Sequence, residues 1–238
     1  MKEKLVIVWS FFLKYLKRSI LIFFVSSISM TIFYRFFDPP VTLLMLIRVF
    51  EQWGDGKDAK MTKKWKTLDE MSSSMASAVV ASEDQLFQEH WGFDFNSIEK
   101  AYENNQKKKR RTIRGASTIS QQVAKNVFLW PGRSWVRKGF EVYFTLLIEV
   151  LWDKQRILEV YLNVIEMGDG IYGAEAASQK YFKHSAKKLS KTQAALIAAI
   201  LPNPIKYSAI HPSAYIKERQ EWILRNMDYI GELKFRKK

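Results

Sequence analysis

Between Ser19 and Tyr34 the chain runs SILIFFVSSISMTIFY without a single charge, and Phe36 and Phe37 extend the apolar stretch past Arg35. Arg35 can snorkel its guanidinium outward while its stem stays with the apolar residues. A helix that spans a bilayer needs about 20 mostly apolar residues, so this segment is long enough to cross. That feature constrains everything after it. Lys2, Lys4, Lys14, Lys17 and Arg18 precede the run and few cations follow it directly. The positive-inside rule then leaves the N-terminus in the cytoplasm and the rest outside. A cleaved signal peptide would instead show an apolar core of roughly 7–15 residues ending at a small-residue site. No such site is evident, so an uncleaved anchor is expected. Asp38-Pro39-Pro40 stops the helix, because proline lacks the N–H and restricts its predecessor. The boundaries expected are a cytoplasmic basic N-terminus at 1–18, an anchor at 19–37, a membrane-proximal connector at 38–66 and a folded domain at 67–238.

The remainder has helical rather than alternating periodicity. VTLLMLIRVFEQW is amphipathic and suits either a membrane surface or the start of the domain. Residues 57 to 66 form a Lys-rich connector. Met71, Met75 and Val79 share a helical face, and so do Ile157, Leu158, Tyr161 and Leu162. VRKGFEVYFTLLIEVLWD is apolar on most sides and is expected as a buried central helix. Ser190 and Gln193 have capping-box spacing ahead of AALIAAIL, and a last helix runs from about Ser213 to Ile230 with Gly231 as its stop. The class is all-α behind a single N-terminal transmembrane helix.

The net charge of +14 calls for an anionic partner. Nucleic acid is excluded by the expected location outside the cytoplasm, although residues 107 to 111 read KKKRR. Three scattered histidines and no cysteine exclude thiolate chemistry and give no zinc site.

Four stretches carry the chemistry. In ASEDQLFQEHWGFD, Glu83, Asp84, Glu89 and Asp94 crowd around His90 in a basic chain. This is a solvated acidic face or a set with one reactive carboxylate. In RGASTISQQVAKN, Thr118 and Gln121 have capping-box spacing, and Ser117, Thr118 and Lys125 lie around a helix N-terminus suited to an anion such as phosphate. An ordinary capped helix after a solvated loop fits the same residues. In GRSWVRKGFE, Arg137, Lys138 and Glu141 share a helix face, as a surface ion trio or as the lining of a cleft. In LNVIEMGDGIYG, Gly168, Gly170 and Gly173 indicate a tight structural turn.

EDQLFQEHWGFD, RGASTISQQVAKN, RKGFE, KQRILEVYLNVIEMGDGIYGAEAASQKYF and AALIAAILPNPIKYSAIHP are similar, in content and order, to the motifs of peptidoglycan glycosyltransferases of family 51. The resemblance covers about residues 65 to 212. It implies a lysozyme-like, two-lobed helical domain with a cleft between the lobes. By resemblance Glu83 is the catalytic glutamate and Glu141 a second cleft glutamate. Ser117, Gln121, Gln122, Lys125, Arg133, Arg137 and Lys138 match positions lining the donor and its diphosphate, while Asp84, His90 and Asp94 shape the site. Phe140 departs from members with another cation before the second glutamate, and Ala116 and Ser120 are milder variations. No room is left after residue 238 for the transpeptidase domain of bifunctional relatives, so a monofunctional enzyme is expected.

The resemblance implies polymerisation of lipid II into glycan strands with inversion. The enzyme would sit in the inner membrane with its catalytic domain on the periplasmic side, beside the growing strand and cell-wall synthesis proteins. No cofactor is firmly expected. Mg2+ or Mn2+ could bridge the diphosphate, with no dedicated ligand set. A transferase with a diphosphate leaving group needs a base and cations, whereas a lytic, lysozyme-like enzyme needs a general acid. The cations around the motifs favour the transferase. A non-enzymatic protein binding anionic lipid is the alternative of a different class.

Overall fold

The computed structural model describes residues 2–56, 58–107, 117–132 and 134–235. Most of the basic run at 107–111, together with Arg133, lies outside the described residues. The chain separates into two compact units, Met1–Asp38 and Pro39–Lys238.

The first unit is one helix, α1 (Lys2–Phe36), which ends where Asp38-Pro39-Pro40 begins to forbid it. Its stretch Phe11–Phe36 is long and apolar enough to cross a membrane. At 1.5 Å per residue those 26 residues reach about 39 Å, more than the ~30 Å hydrocarbon thickness. Three hydroxyls inside the run bond back to the helix's own carbonyls. Ser26, Ser27 and Thr31 donate to the carbonyls of Phe23, Phe24 and Ser27 at 3.1, 3.1 and 2.8 Å. A span in lipid must satisfy its polar groups internally in this way.

The second unit is helical with a minor sheet, as the periodicity predicts. Its helices are α2 (Leu43–Gly54), α3 (Ser73–Glu83), α4 (Phe95–Lys107), α5 (Ile119–Phe128), α6 (Trp135–Leu151), α7 (Lys154–Val164), α8 (Ala174–Phe182), α9 (Lys191–Ile200) and α10 (Ala214–Ile230). Two groups form the core. In one, α3 packs on α9 and α10; in the other, α5 packs on α6 and α7. Met75, Ala78, Val79, Ile197 and Ile223 are fully buried in the first, and Ile119, Val123, Ile148, Ile157 and Leu158 in the second. Each large aliphatic side chain of this kind contributes about 1.5–3 kcal/mol by burial. The site lies where the two groups meet.

Three short strands are absent from the sequence reading. β1 (Thr62–Lys63) pairs parallel with β3 (Ile171–Tyr172), which pairs antiparallel with β2 (Glu166–Gly168), in the order β1-β3-β2. Part of the Lys-rich connector is therefore strand. Runs of two or three residues are too short for an alternation to register. The tight turn follows from sequence: Gly170 has φ +66°, and a Cβ there would stand 2.2 Å from the Lys60 carbonyl oxygen. The long apolar helix α6 also differs from expectation. One side is buried through Phe144, Thr145, Ile148 and Glu149, but Val142, Leu146 and Val150 are exposed on the other. Helices α5 and α7 cover it from one side, so apolar residues all round do not make it central.

Candidate active site

Glu83 is the last residue of α3, placed there by a helix whose Met75, Val79 and Val80 are anchored in the core. Its carboxylate is partly open to solvent and surrounded by donors. Gln122 of α5 donates from Nε2 to Oε2 at 3.1 Å, and the Ser82 hydroxyl donates to Oε1 at 3.1 Å. The Arg219 guanidinium of α10 stands 3.7 Å from Oε1 and donates to Ser82 Oγ at 3.0 Å. Tyr161 of α7 is buried, and its hydroxyl donates to Gln122 Oε1 at 3.4 Å, which turns the amide so that Nε2 faces Glu83. Burial, helped by the charges of Glu83 and Asp84, holds the Tyr161 phenol well above the usual range, so it remains a neutral donor.

Asp84 does structural work one residue later. It is buried, accepts from His90 Nε2 at 2.8 Å and accepts from the Ile119 backbone N–H at 2.9 Å. That second bond fixes the first turn of α5, where a carboxylate satisfies an orphan donor and meets the positive end of the helix. Thr118 caps the same turn. Its hydroxyl accepts from the Gln121 N–H at 3.2 Å and donates to the Gly92 carbonyl at 2.7 Å, while Gln121 Oε1 accepts from the Thr118 N–H at 3.0 Å. Gln121 is thus buried in a capping box. Asp94 opens α4 by accepting from the Ser97 N–H at 2.9 Å and its hydroxyl at 2.5 Å. Burial would raise the Asp94 carboxyl, but these bonds, together with the nearby His90 charge, bring it below its usual range.

A second carboxylate, Glu141, sits buried on α6. Arg137 Nη1 approaches it at 2.9 Å and Lys138 Nζ at 2.5 Å, so the three residues on one helix face form a pair of ion bridges. Lys125 of α5 links the two carboxylates electrostatically. Its surroundings desolvate the ammonium even though the side chain retains exposed surface. Desolvation pulls its pKa below the usual lysine range. Glu141 and Glu83 oppose that shift, while Arg137 and Lys138 add to it. A cation so placed is under-compensated and would gain from an added anion.

On the other side of Glu83 opens a cleft of about 1020 Å3. Ser117 and Asp94 line it, as do Lys100 of α4 and several residues of α10. Of the residues singled out by sequence, the structure groups Glu83 with Gln122 and relates both carboxylates to Lys125. It sets Asp84 and His90 beneath as a pair, and places Gln121 in the helix cap. Sequence points to neither Ser82 nor Arg219, and gives Tyr161 only as part of an apolar helix face. Arg219 lies about 136 residues from Glu83, in a segment read only as a closing helix, and no local spacing reveals the contact.

A model of the family described as Transglycosylase matches residues 49–228. The chain is 55% identical over 218 residues to the biosynthetic peptidoglycan transglycosylase of Bacteroides thetaiotaomicron, covering 92% of this chain and 87% of that protein. It is 53% identical over 220 residues to the protein of the same name from Bdellovibrio bacteriovorus, with coverages of 92% and 87%. For the one from Pseudomonas fluorescens strain Pf0-1 the identity is 49% over 220 residues, with coverages of 92% and 91%. Identity of this order, carried across nearly the whole of both partners, with the family model matching residues 49–228, means that the chain belongs to the transglycosylase family and is a peptidoglycan glycosyltransferase with a lysozyme-like helical domain.

Proposed function

We propose that the protein polymerises lipid II into glycan strands by a single inverting displacement, with Glu83 as general base. In this reaction Glu83 takes the proton from the acceptor's sugar hydroxyl. That oxygen forms the new bond to the donor's anomeric carbon, and the bond from that carbon to the polyprenyl diphosphate breaks. The leaving diphosphate carries the negative charge away, so it needs cations rather than an acid. The observation that carries the proposal is the arrangement of Glu83. Its oxygens accept from Gln122 and Ser82 and face Arg219, on the border between an open cleft and the Lys125, Arg137 and Lys138 cations. A lytic enzyme would need this same group as a proton donor to an alkoxide. These donors support the base.

In this reading Lys125, Arg137 and Lys138 contact the diphosphate and Glu141 orients two of these cations, while Ser117, and Arg133 outside the described residues, keep the donor-binding role that the resemblance implies. Gln121 acts indirectly, by capping the helix that carries Gln122 and Lys125. Among the described residues no three His, Asp or Glu side chains converge to hold a metal ion, and no step is routed through one. Residues 19–37 anchor the protein in the inner membrane as a single pass, the 67–238 domain faces the periplasm, and residues 38–66 connect them. The donor's polyprenyl tail stays in the bilayer, which supports a tethered catalyst. The testing experiment incubates the full-length protein with lipid II and resolves the products. Polymer is expected; cleavage of preformed glycan without polymerisation would refute the proposal.

A further inference from the structure

Helix α10 buries Ile216, Ile223 and Met227 against the core. One residue before the first two, and so about 100° around the helix, stand Tyr215 and Trp222, followed in the same seven-residue register by Tyr229. All three are exposed, at 51%, 40% and 87%, yet all three line the Glu83 cleft. A seven-residue repeat drifts only ~20° per step on a straight helix, so the rings form a nearly axial stripe. Glu218, Arg219 and Arg225 lie between the rings and line the same cleft, two cations to one carboxylate. Arg219 places the stripe: its guanidinium is 3.7 Å from Glu83. Tyr215 and Trp222 are one turn to either side of Arg219, hence next to the reacting carboxylate. From Tyr215 to Tyr229 the stripe extends on the order of 21 Å.

Three large aromatics lining one cleft beside charged residues form a mixed apolar and polar surface. They suit a ligand with flat apolar faces and a polar rim. A pyranose ring is such a ligand, since its C–H face can stack on an aromatic ring while its hydroxyls remain wet. We infer that the α10 stripe is a glycan-binding wall, on which the newly made strand lies as it leaves Glu83, with Arg219, Arg225 and the facing Lys100 of α4 meeting the carboxylates of its peptide stems. The inference rests on the polymerising function proposed above, and it assigns chain length to this wall. The number of couplings before release is the ratio of coupling to dissociation rates. Contacts made by the strand behind the reacting unit act on dissociation, where most affinity differences lie.

The test uses full-length protein reconstituted with lipid II. Products are compared by gel at equal lipid II consumption, and binding of lipid-free glycan oligomers is measured separately. Trp222→Ala and Tyr229→Ala should each give strands several-fold shorter and bind the oligomers several-fold more weakly, with Trp222→Phe restoring both. Tyr229 is almost wholly exposed, so its removal does not threaten the fold. Unchanged length and unchanged oligomer affinity in both alanine variants would overturn the wall. So would a loss confined to binding of anionic phospholipid vesicles, which would make the stripe a membrane contact. Failure of the wild-type protein itself to polymerise lipid II would strike instead at the proposed function, and is read before any variant is compared.

Discussion

Glu83 and Glu141 are the same side chain in different settings, and the settings predict different failures. Glu83 is at a helix end, partly exposed, and its neighbours also contact one another or solvent. Replacing it with Gln removes basicity and little else, so polymerisation should fall ~10²–10⁴-fold with melting temperature unchanged. Near-normal turnover of Glu83→Gln by a continuous lipid II assay would dismiss it as the base. Glu141 is buried against a buried Arg137. Its neutralisation leaves a guanidinium without its counter-charge, which typically costs up to about 3–5 kcal/mol. Glu141→Gln should therefore lower thermal stability and donor affinity together, measured by calorimetry and lipid II binding. Lys125 gives a prediction in pH. Desolvation holds its pKa below the usual lysine range, so the protonated form proposed to meet the diphosphate is lost as pH rises through that lowered value. The alkaline limb of the rate profile should thus begin before an ordinary lysine would titrate. Lys125→Arg, which stays protonated, should move the limb upward. A limb in the same place in both proteins would remove Lys125 from the role.

The loop from His90 to Asp94 and the first turn of α5 behave as one element. Asp84 ties His90 to the Ile119 N–H, and Thr118 ties the cap to the Gly92 carbonyl. Gly92 allows the loop to lie against α6: its φ is +80°, and a Cβ would meet Thr145 Cγ2 at 2.7 Å and Glu149 Cγ at 2.9 Å. Gly92→Ala should cost about 1–3 kcal/mol and displace the α5 start, detected as a lower melting temperature and weaker lipid II binding. An unchanged melting temperature would mean that the loop is free to shift. This level was only half legible beforehand. Capping boxes at Thr118 and Ser190 mark helix starts because both partners fall within three residues. The Arg137, Lys138 and Glu141 trio is legible for the same reason. Asp84's bond to Ile119 spans 35 residues and Arg219's to Ser82 spans 137, and such pairings depend on how helices pack. Helix α6 misleads for a related reason. Its apolar residues suggest burial on most sides, and only the arrangement of α5 and α7 decides which side is covered.

For the molecule as a whole, charge and hydropathy are distributed along the chain in a way that bears on orientation. Lys14, Lys17 and Arg18 immediately precede the uncharged run from Ser19 to Tyr34, and the first residues after Phe37 are Asp38, Pro39 and Pro40. Cations within about 15–20 residues of a span's end bias that end to the cytoplasm. The bias here is not symmetric, since Arg35 is the only cation between Arg18 and Arg48. A substrate carrying a polyprenyl tail and a sugar diphosphate meets a catalytic domain only if that domain emerges on the face where the sugar is displayed. Orientation is thereby part of the activity and is not only an address. A periplasm-dependent reporter enzyme fused after Lys238 should be active, and a reporter that works only in the cytoplasm should be silent. Replacing Lys14, Lys17 and Arg18 by Gln while placing three lysines between Val41 and Leu46 should reduce the outside signal, because the asymmetry then reverses. Equal outside signal from the original and charge-reversed proteins would show that residues 19–37 are oriented by something other than these cations, and reporter activity only in the cytoplasm would overturn the anchored, outward-facing arrangement itself.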